Sequence, residues 1–256
     1  ACFEHDTGRM HPERPARLKA ILAALDGPDF AGLKRMEAPR ATIDQIARVH
    51  ARPYIDRVLN SVPRAGLVGL DADTVMSPGS GEAALQTPGP AVAAVDAVMS
   101  GEPNNGSCAV RPPGHHAETG QAMGFCLFNN VAVAAGQARA VHGLQRVAAV
   151  DFDVHHGNGT QHLFESDPDL FYGSTHQWPL YPGTGAADET GVGNICNVPL
   201  APMSGGREFR AAFDEVILPA LRRFRPELLL ISAGFDAHED DPLASLRLHE
   251  ADYGWA

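Results

Sequence analysis

Basic residues are scarce in this chain. Lys and Arg number 20 against 31 Asp and Glu, a formal charge of −11 over 256 residues. No basic cluster occurs anywhere, which argues against a partner bound through a phosphate backbone and leaves cationic substrates compatible. There is also no apolar run of about 18 residues, so no membrane-spanning helix is predicted. The opening, ACFEHDTGRMHPERP, lacks the basic start and apolar centre of a signal peptide. Cys2, Cys108, Cys126 and Cys196 are scattered with no CxxC pair, which fits free thiols in a reducing cytoplasm better than a disulfide framework or a cysteine zinc site. Repeats, low-complexity tracts and linkers are missing too. The absence of an initiator Met and of a terminating signal after LHEADYGWA predicts a piece of a longer protein.

What is present centres on VAAVDFDVHHGNG, Val147 to Gly159. Val147–Val150 reads as a buried strand, and it runs directly into Asp151, Asp153 and His155. Side chains alternate along an extended chain, so these three face one way, and Gly157 and Gly159 allow a sharp turn afterwards. Carboxylates and an imidazole delivered together suit zinc or another divalent first-row metal. Solvated acids with a capping histidine are the plainer alternative. A buried strand rarely ends in so many ionisable groups without a use, because uncompensated burial is costly.

Around this stretch the pattern alternates between helix and strand. Leu18, Ile21, Leu22 and Leu25 fall on one helical face, stopped by Gly27-Pro28. A second amphipathic piece carries Val49, Tyr54, Ile55, Val58 and Leu59. LDADTVMSPGSGEAA is turn-rich and bears Asp71 and Asp73. AVAAVDAVM makes a further helix after Pro88 and Pro90. Cys108–Val110 is predicted to be a short strand leading into RPPGHHAETGQAMGF, a loop whose prolines and glycines fix its course and which holds His115 and His116. Such a pair on a rigid loop is placed for acid–base work. Asn129 or Asn130 can cap a helix to about His142, closed by Gly143. LFYGSTH is another strand; a helix from Phe209 to Phe224 is kinked by Pro219; and Leu228–Ile231 is a fully apolar strand with Asp236 just past it. Strands alternating with helices imply a parallel sheet with ligands beyond the carboxyl ends of its strands. The His pair, the Asp151/Asp153/His155 group and Asp236 all occur at such ends.

RPPGHH (111–116), GFCLFNN (124–130), DFDVHHGNGTQ (151–161), YPGTG (181–185) and SAGFDAHEDDPL (232–243) together resemble the histone deacetylase/acetylpolyamine amidohydrolase family. HPERPARL and DADTVMSPGS extend the resemblance over almost the whole chain, and the Asn of HHGNG and the HPERP opening look like its class II and bacterial branch. The resemblance implies one deacetylase domain over 1–256, with an arginase-like three-layer α/β/α fold and a central, mainly parallel sheet of about eight strands.

It also implies roles. The ligands of one catalytic zinc ion fall on Asp153, His155 and Asp236, leaving an open position for water and substrate. His115 and His116 match the family's tandem histidines: His116 as general base and then acid, His115 as an electrostatic partner oriented by Asp151. Asn158 stands where other branches place an Asp behind the second histidine, and a neutral partner raises imidazole basicity less than a carboxylate does. Gly124 would accept the substrate amide N–H, Phe125 and Tyr181 would wall a tunnel for a slim acyl chain, and Asp73 (less so Asp71) would hold the substrate backbone. Arg14 matches a basic residue beside an internal acetate channel. A structural potassium ion would use Asp151, backbone oxygens of Asp153 and His155, Ser174 and Thr175. The implied activity is zinc-dependent removal of acetyl or related acyl groups from lysine, with no nucleic acid or membrane as partner.

One part departs from the pattern. The family places an oxyanion-stabilising tyrosine in a Gly-Gly-Tyr turn well beyond the last strand, and the chain ends at Ala256 before such a turn. Tyr253 lacks the Gly-Gly. The competing readings are an acetylpolyamine amidohydrolase, with the same chemistry on a free cationic substrate, and a catalytically weak acyl-lysine-binding module, which the intact histidines and ligands disfavour. An arginase-type dimanganese centre would need acid ligands where His115 and His116 stand.

Overall fold

A computed structural model describes residues 1–37 and 39–256. The chain divides into two units, residues 1–142 and 143–256.

The first unit is mainly helical: α1 (Pro15–Leu25), α2 (Ile43–Ile46), α3 (Arg52–Asn60), α4 (Ser80–Gln86), α5 (Pro88–Ser100) and α6 (Asn130–His142), with a small antiparallel pair, β1 (Val68–Gly69) and β2 (Val75–Met76). Helices α1, α3 and α5 each have proline in the first turn, where its missing N–H costs no helical hydrogen bond. Thr42 and Gln45 form a capping box on α2. Tyr54, Ile55 and Val58 of α3 pack with Ile46, Met76, Leu127 and Phe128 as this unit's core. Asn129 caps α6 by accepting the Ala132 N–H at 2.9 Å, and Gly143 follows that helix with φ of +69°. Helix α1 differs from the reading of its periodicity: Leu18 is buried, but Ile21 lies exposed. Cys108–Val110 is likewise not a strand.

The second unit is built on a parallel sheet with strand order β5-β4-β3-β6: β3 (Val147–Asp151), β4 (Leu170–Gln177), β5 (Ile195–Leu200) and β6 (Leu228–Ser232). Around it lie α7 (Asn158–Phe164), α8 (Gly206–Ala212), α9 (Leu218–Phe224) and α10 (Glu250–Trp255). Four strands form this sheet among the described residues, against the eight implied. The predicted kink at Pro219 takes the form of a π-helical turn, Phe213–Ile217, joining α8 to α9, the kind of local rewinding that interrupts the i→i−4 ladder. Every residue of β3 is buried. Among the described residues β6 pairs only with β3, and Leu229 and Ile231 are 45% and 54% exposed. An apolar run reports strand propensity and not which faces are covered.

Val150, Phe152 and Val154 enter the core of this unit with Phe209, Phe213, Ile217 and Leu248. Their alternation sends Asp151, Asp153 and His155 to the opposite face, as predicted.

Candidate active site

The predicted site residues fall in two groups, one within each unit. In the second, the chain continues past β3 in extended form: the Phe152 N–H donates to the Ser232 carbonyl at 3.3 Å, and the Gln177 N–H donates to the Val154 carbonyl at 2.9 Å. A bend at residues 153–155 then brings Asp153, His155 and Asp236 together, with one donor atom from each lying within 4.8 Å of the others. His155 Nδ1 stands 3.0 Å from Asp153 Oδ1 and 3.0 Å from Asp236 Oδ2. The other Asp236 oxygen accepts the Val154 N–H at 2.9 Å, tying the loop after β6 to the loop after β3. Gly234 is obligatory here, since a Cβ on it would fall on the Asp153 carboxylate.

Electrostatics explain what this cluster needs. Burial penalises the His155 imidazolium, but the carboxylates of Asp153 and Asp236 outweigh that and raise it from its ordinary 6.5 to about 10. Asp236 is pushed up, first by burial and then by Asp153. Two crowded carboxylates thus hold a cation between them, and without a metal that cation is a proton. Two carboxylate oxygens and an imidazole nitrogen fit zinc, which would take the proton's place.

Asp151 lies outside the ligand set. Alternation alone groups it with Asp153 and His155, yet its carboxylate accepts the Asp153 N–H at 3.1 Å and the Tyr172 hydroxyl at 3.2 Å. The same hydroxyl accepts the Gly157 N–H at 3.0 Å. Tyr172, fully buried on β4, therefore links the strand end to the turn that follows, and the sequence offered no signal for it beyond the strand itself. Ser174 lies beside Asp151 in the sheet register, with Thr175 next to it. Asn158 is buried at the start of α7, its N–H donating to the His156 carbonyl at 2.9 Å. His156 itself joins a buried network: Nδ1 to Thr184 Oγ1 at 2.8 Å and Nε2 to Gln161 Oε1 at 3.0 Å. Gly185 fits between His156 and His176, where no Cβ has room. The YPGTG segment thus owes its Thr and last Gly to this network. The Tyr181 ring centre lies 6.3 Å from that of His155. Tyr253 donates its hydroxyl to the Phe235 carbonyl at 3.2 Å, an engagement that suits packing and not an oxyanion role.

In the first unit His115 and His116 are 6% and 4% exposed, with ring centroids 4.0 Å apart. Gly124, at φ of +55°, lies against the His116 ring so closely that a Cβ there would overlap it, and Phe125 follows at φ of +67°. Two consecutive left-handed residues make a tight reversal, closed by the Cys126 N–H to the Met123 carbonyl at 2.9 Å. The Phe125 N–H donates to Thr74 Oγ1 at 3.2 Å. His11 packs edge-on against Phe125 at 4.7 Å and has Nε2 3.2 Å from the Asp73 carbonyl oxygen. Burial, then Asp71, raises the Asp73 carboxyl.

The structure also shows what holds the histidine loop. Arg111 donates Nε and Nη2 to the two oxygens of Glu13, both at 2.7 Å, and Nη1 to the carbonyls of Cys2 and His5. His50 lies on the loop's other side. Burial pushes its imidazole down to about 4, so it stays neutral: Nε2 accepts the Asn129 N–H at 2.8 Å and Nδ1 donates to the Glu118 carbonyl at 2.9 Å. Glu13 and Arg111 sit inside the HPERP and RPPGHH segments, and only their charge hinted at mutual pairing. Arg14, expected beside an internal channel, is exposed where α1 begins.

Residues 11–256 match the histone deacetylase domain. The chain belongs to this family. Among its relatives, an uncharacterized protein of Synechocystis is 44% identical over 98% of this chain and 84% of its own length. The histone deacetylase-like amidohydrolase of Pseudomonas aeruginosa is 43% identical over 93% of this chain and 63% of its own. Histone deacetylase 14, chloroplastic, of Arabidopsis thaliana is 40% identical over 95% and 62%. The crystal structure of the HD domain of HDA15 superposes with a TM-score of 0.94 at 38% identity, covering 99% of this chain and 77% of that one. The chain thus has the deacetylase fold that its motifs implied, and spans somewhat less than two thirds of the two named enzymes.

Proposed function

We propose that this deacetylase-family chain is a zinc-dependent amidohydrolase that removes acetyl or other slim acyl groups from lysine side chains. The observation that carries the reading is the Asp153–His155–Asp236 cluster, a donor set for a dication with room for further ligands. Zinc held there supplies a Lewis acid that polarises the scissile carbonyl and makes water acidic enough to attack. His116 takes that proton and passes it to the leaving amine; its ring is fixed against Gly124, so the proton moves at one defined position. His115 tempers the charge formed on its neighbour. The Gly124 carbonyl orients the amide N–H, Phe125 and Tyr181 offer rings to the acyl-lysine chain, and Asp73 accepts from the substrate backbone. Asp151, Ser174 and Thr175 support the strand end, with Asp151 the anionic group for a potassium ion. Asn158, a neutral amide, stands behind the second histidine and leaves its basicity lower than a carboxylate would. Four cysteines without a disulfide support a cytoplasmic location.

The test is turnover by the zinc-loaded protein of an acetyl-lysine peptide beside acetylputrescine. Preference for the peptide, lost in His116→Ala and Asp236→Ala, is the expected result. Preference for the polyamine would move the assignment to a polyamine deacetylase. No turnover of either with zinc bound would overturn the enzymatic reading for acetyl substrates.

A further inference from the structure

We infer that the second unit carries another divalent-metal site on its surface, formed by His238, His249 and Glu250. One donor atom from each lies within 4.8 Å of the others. His238 Nε2 stands 3.8 Å from Glu250 Oε2, and the two imidazole centres are 6.1 Å apart. A fourth donor is at hand: Glu239 Oε1 lies 3.3 Å from His249 Nδ1. Two imidazoles and a carboxylate form the donor set that zinc takes in some of its three-ligand centres, and imidazole selects zinc, nickel or copper over magnesium and calcium.

Bonds of about 2.0–2.1 Å around a tetrahedral ion place donors roughly 3.4 Å apart. The donors here, within 4.8 Å of one another, must therefore close by at most about 1.4 Å. They are free to do so, because His249 and Glu250 are exposed and His238 is half-buried.

The backbone beneath them is already set. The Leu248 N–H donates to the Ala237 carbonyl, and the Glu239 N–H returns to the Leu248 carbonyl, both at 3.1 Å. The two ligand-bearing segments are thus paired before any ion arrives, and His249 is fixed at the start of α10 by its N–H to Asp252 Oδ2 at 3.0 Å. Such preorganisation lowers the ordering cost of binding. In the metal-free state His238 Nδ1 accepts the Asp240 N–H at 3.2 Å. Coordination at Nε2 shifts the ring proton to Nδ1, and the Asp240 carboxylate, 3.9 Å away, takes that hydrogen bond in place of the backbone contact.

The site has a structural consequence. His238 is two residues past Asp236, so an ion would clip the loop holding that ligand to the start of α10. The site is distinct from the Asp153–His155–Asp236 cluster and does not depend on catalysis.

Equilibrium dialysis of the full chain against increasing free zinc, with metal and protein quantified separately, tests it. Wild type takes up a second, weaker equivalent beyond the first; His249→Asn, which keeps a good helix cap, loses it; Asp153→Ala loses the first and keeps the second. Glu250→Gln, at an exposed position, weakens the second about tenfold, within the range that ligand-sphere changes produce, and carries the test if His249→Asn fails to fold. Equal zinc uptake by wild type and both variants at every concentration, or displacement of the second equivalent by equimolar magnesium, would overturn the proposal.

Discussion

The histidine loop and the ligand cluster solve the same problem by opposite means. Both must hold ionisable side chains out of water. In the second unit Asp153, His155 and Asp236 follow the ends of adjacent parallel strands, and backbone pairing of those strands with one Asp236–Val154 hydrogen bond brings them together. In the first unit His115 and His116 sit on an irregular loop, fixed by a buried ion pair, a neutral histidine and a glycine with no room to spare. Strand ends need little else to place a ligand. A loop needs partners drawn from across the sequence.

The largest expected effect tests that difference directly. His116→Ala should lower turnover about 10²–10⁴-fold while leaving zinc content intact, whereas loss of Asp236 removes both; metal analysis beside steady-state rates separates the two cases.

Next comes the clamp on the loop. Glu13→Gln leaves Arg111 charged and buried, for a loss of about 3–5 kcal/mol in urea unfolding. In the Arg40–Glu82 pair one nitrogen, Nη1, reaches both carboxylate oxygens at 2.9 Å, and its side chains are 58% and 61% exposed, against 4% and 3% for Arg111–Glu13. Glu82→Gln should cost no more than about 1 kcal/mol. Similar losses for the two would show that burial is not what makes the clamp matter.

The glycines offer a finer contrast. Gly124→Ala should displace the His116 ring and slow turnover with zinc retained. Gly234→Ala, by pressing on Asp153, should weaken zinc binding about 10–100-fold, read by competition with a chromophoric chelator. An unchanged zinc affinity in Gly234→Ala would contradict the steric reading.

A further expected effect is in pH. His50 is depressed from 6.5 to about 4, so between those values the unfolded chain binds more protons. Its contribution is complete above 6.5 and disappears as pH falls to 4. His155 in the metal-free protein is raised from 6.5 to about 10; its contribution is complete below 6.5 and is lost as pH rises through 10. Each of these two groups contributes a slope of at most about 1.4 kcal/mol per pH unit. Chelator-treated protein should lose stability on both sides of neutrality, and zinc should remove the alkaline limb by replacing the proton. An alkaline limb unaffected by zinc would mean that His155 is not the group responsible.

The sequence was most legible where regular structure carries the chemistry. The run Val147–Val150, the alternation behind it and Asp236 past Leu228–Ile231 are local patterns, and the sheet preserves them. Alternation overreached at Asp151, because the bend at 153–155 depends on hydrogen bonds to Asp236 and the glycine turn. The apolar run of β6 marked a strand, but a strand cannot specify what covers it. Tyr172, Glu13–Arg111 and His50 were illegible, being ordinary residues whose partners lie far off in sequence. By itself, then, the sequence determined the family, the parallel strands and which residue types could bind a metal, since each rests on order and spacing along the chain. Only the tertiary structure decided which carboxylates share an imidazole and what pins the histidine loop. Those depend on long-range pairings that burial makes strong and that no local pattern encodes.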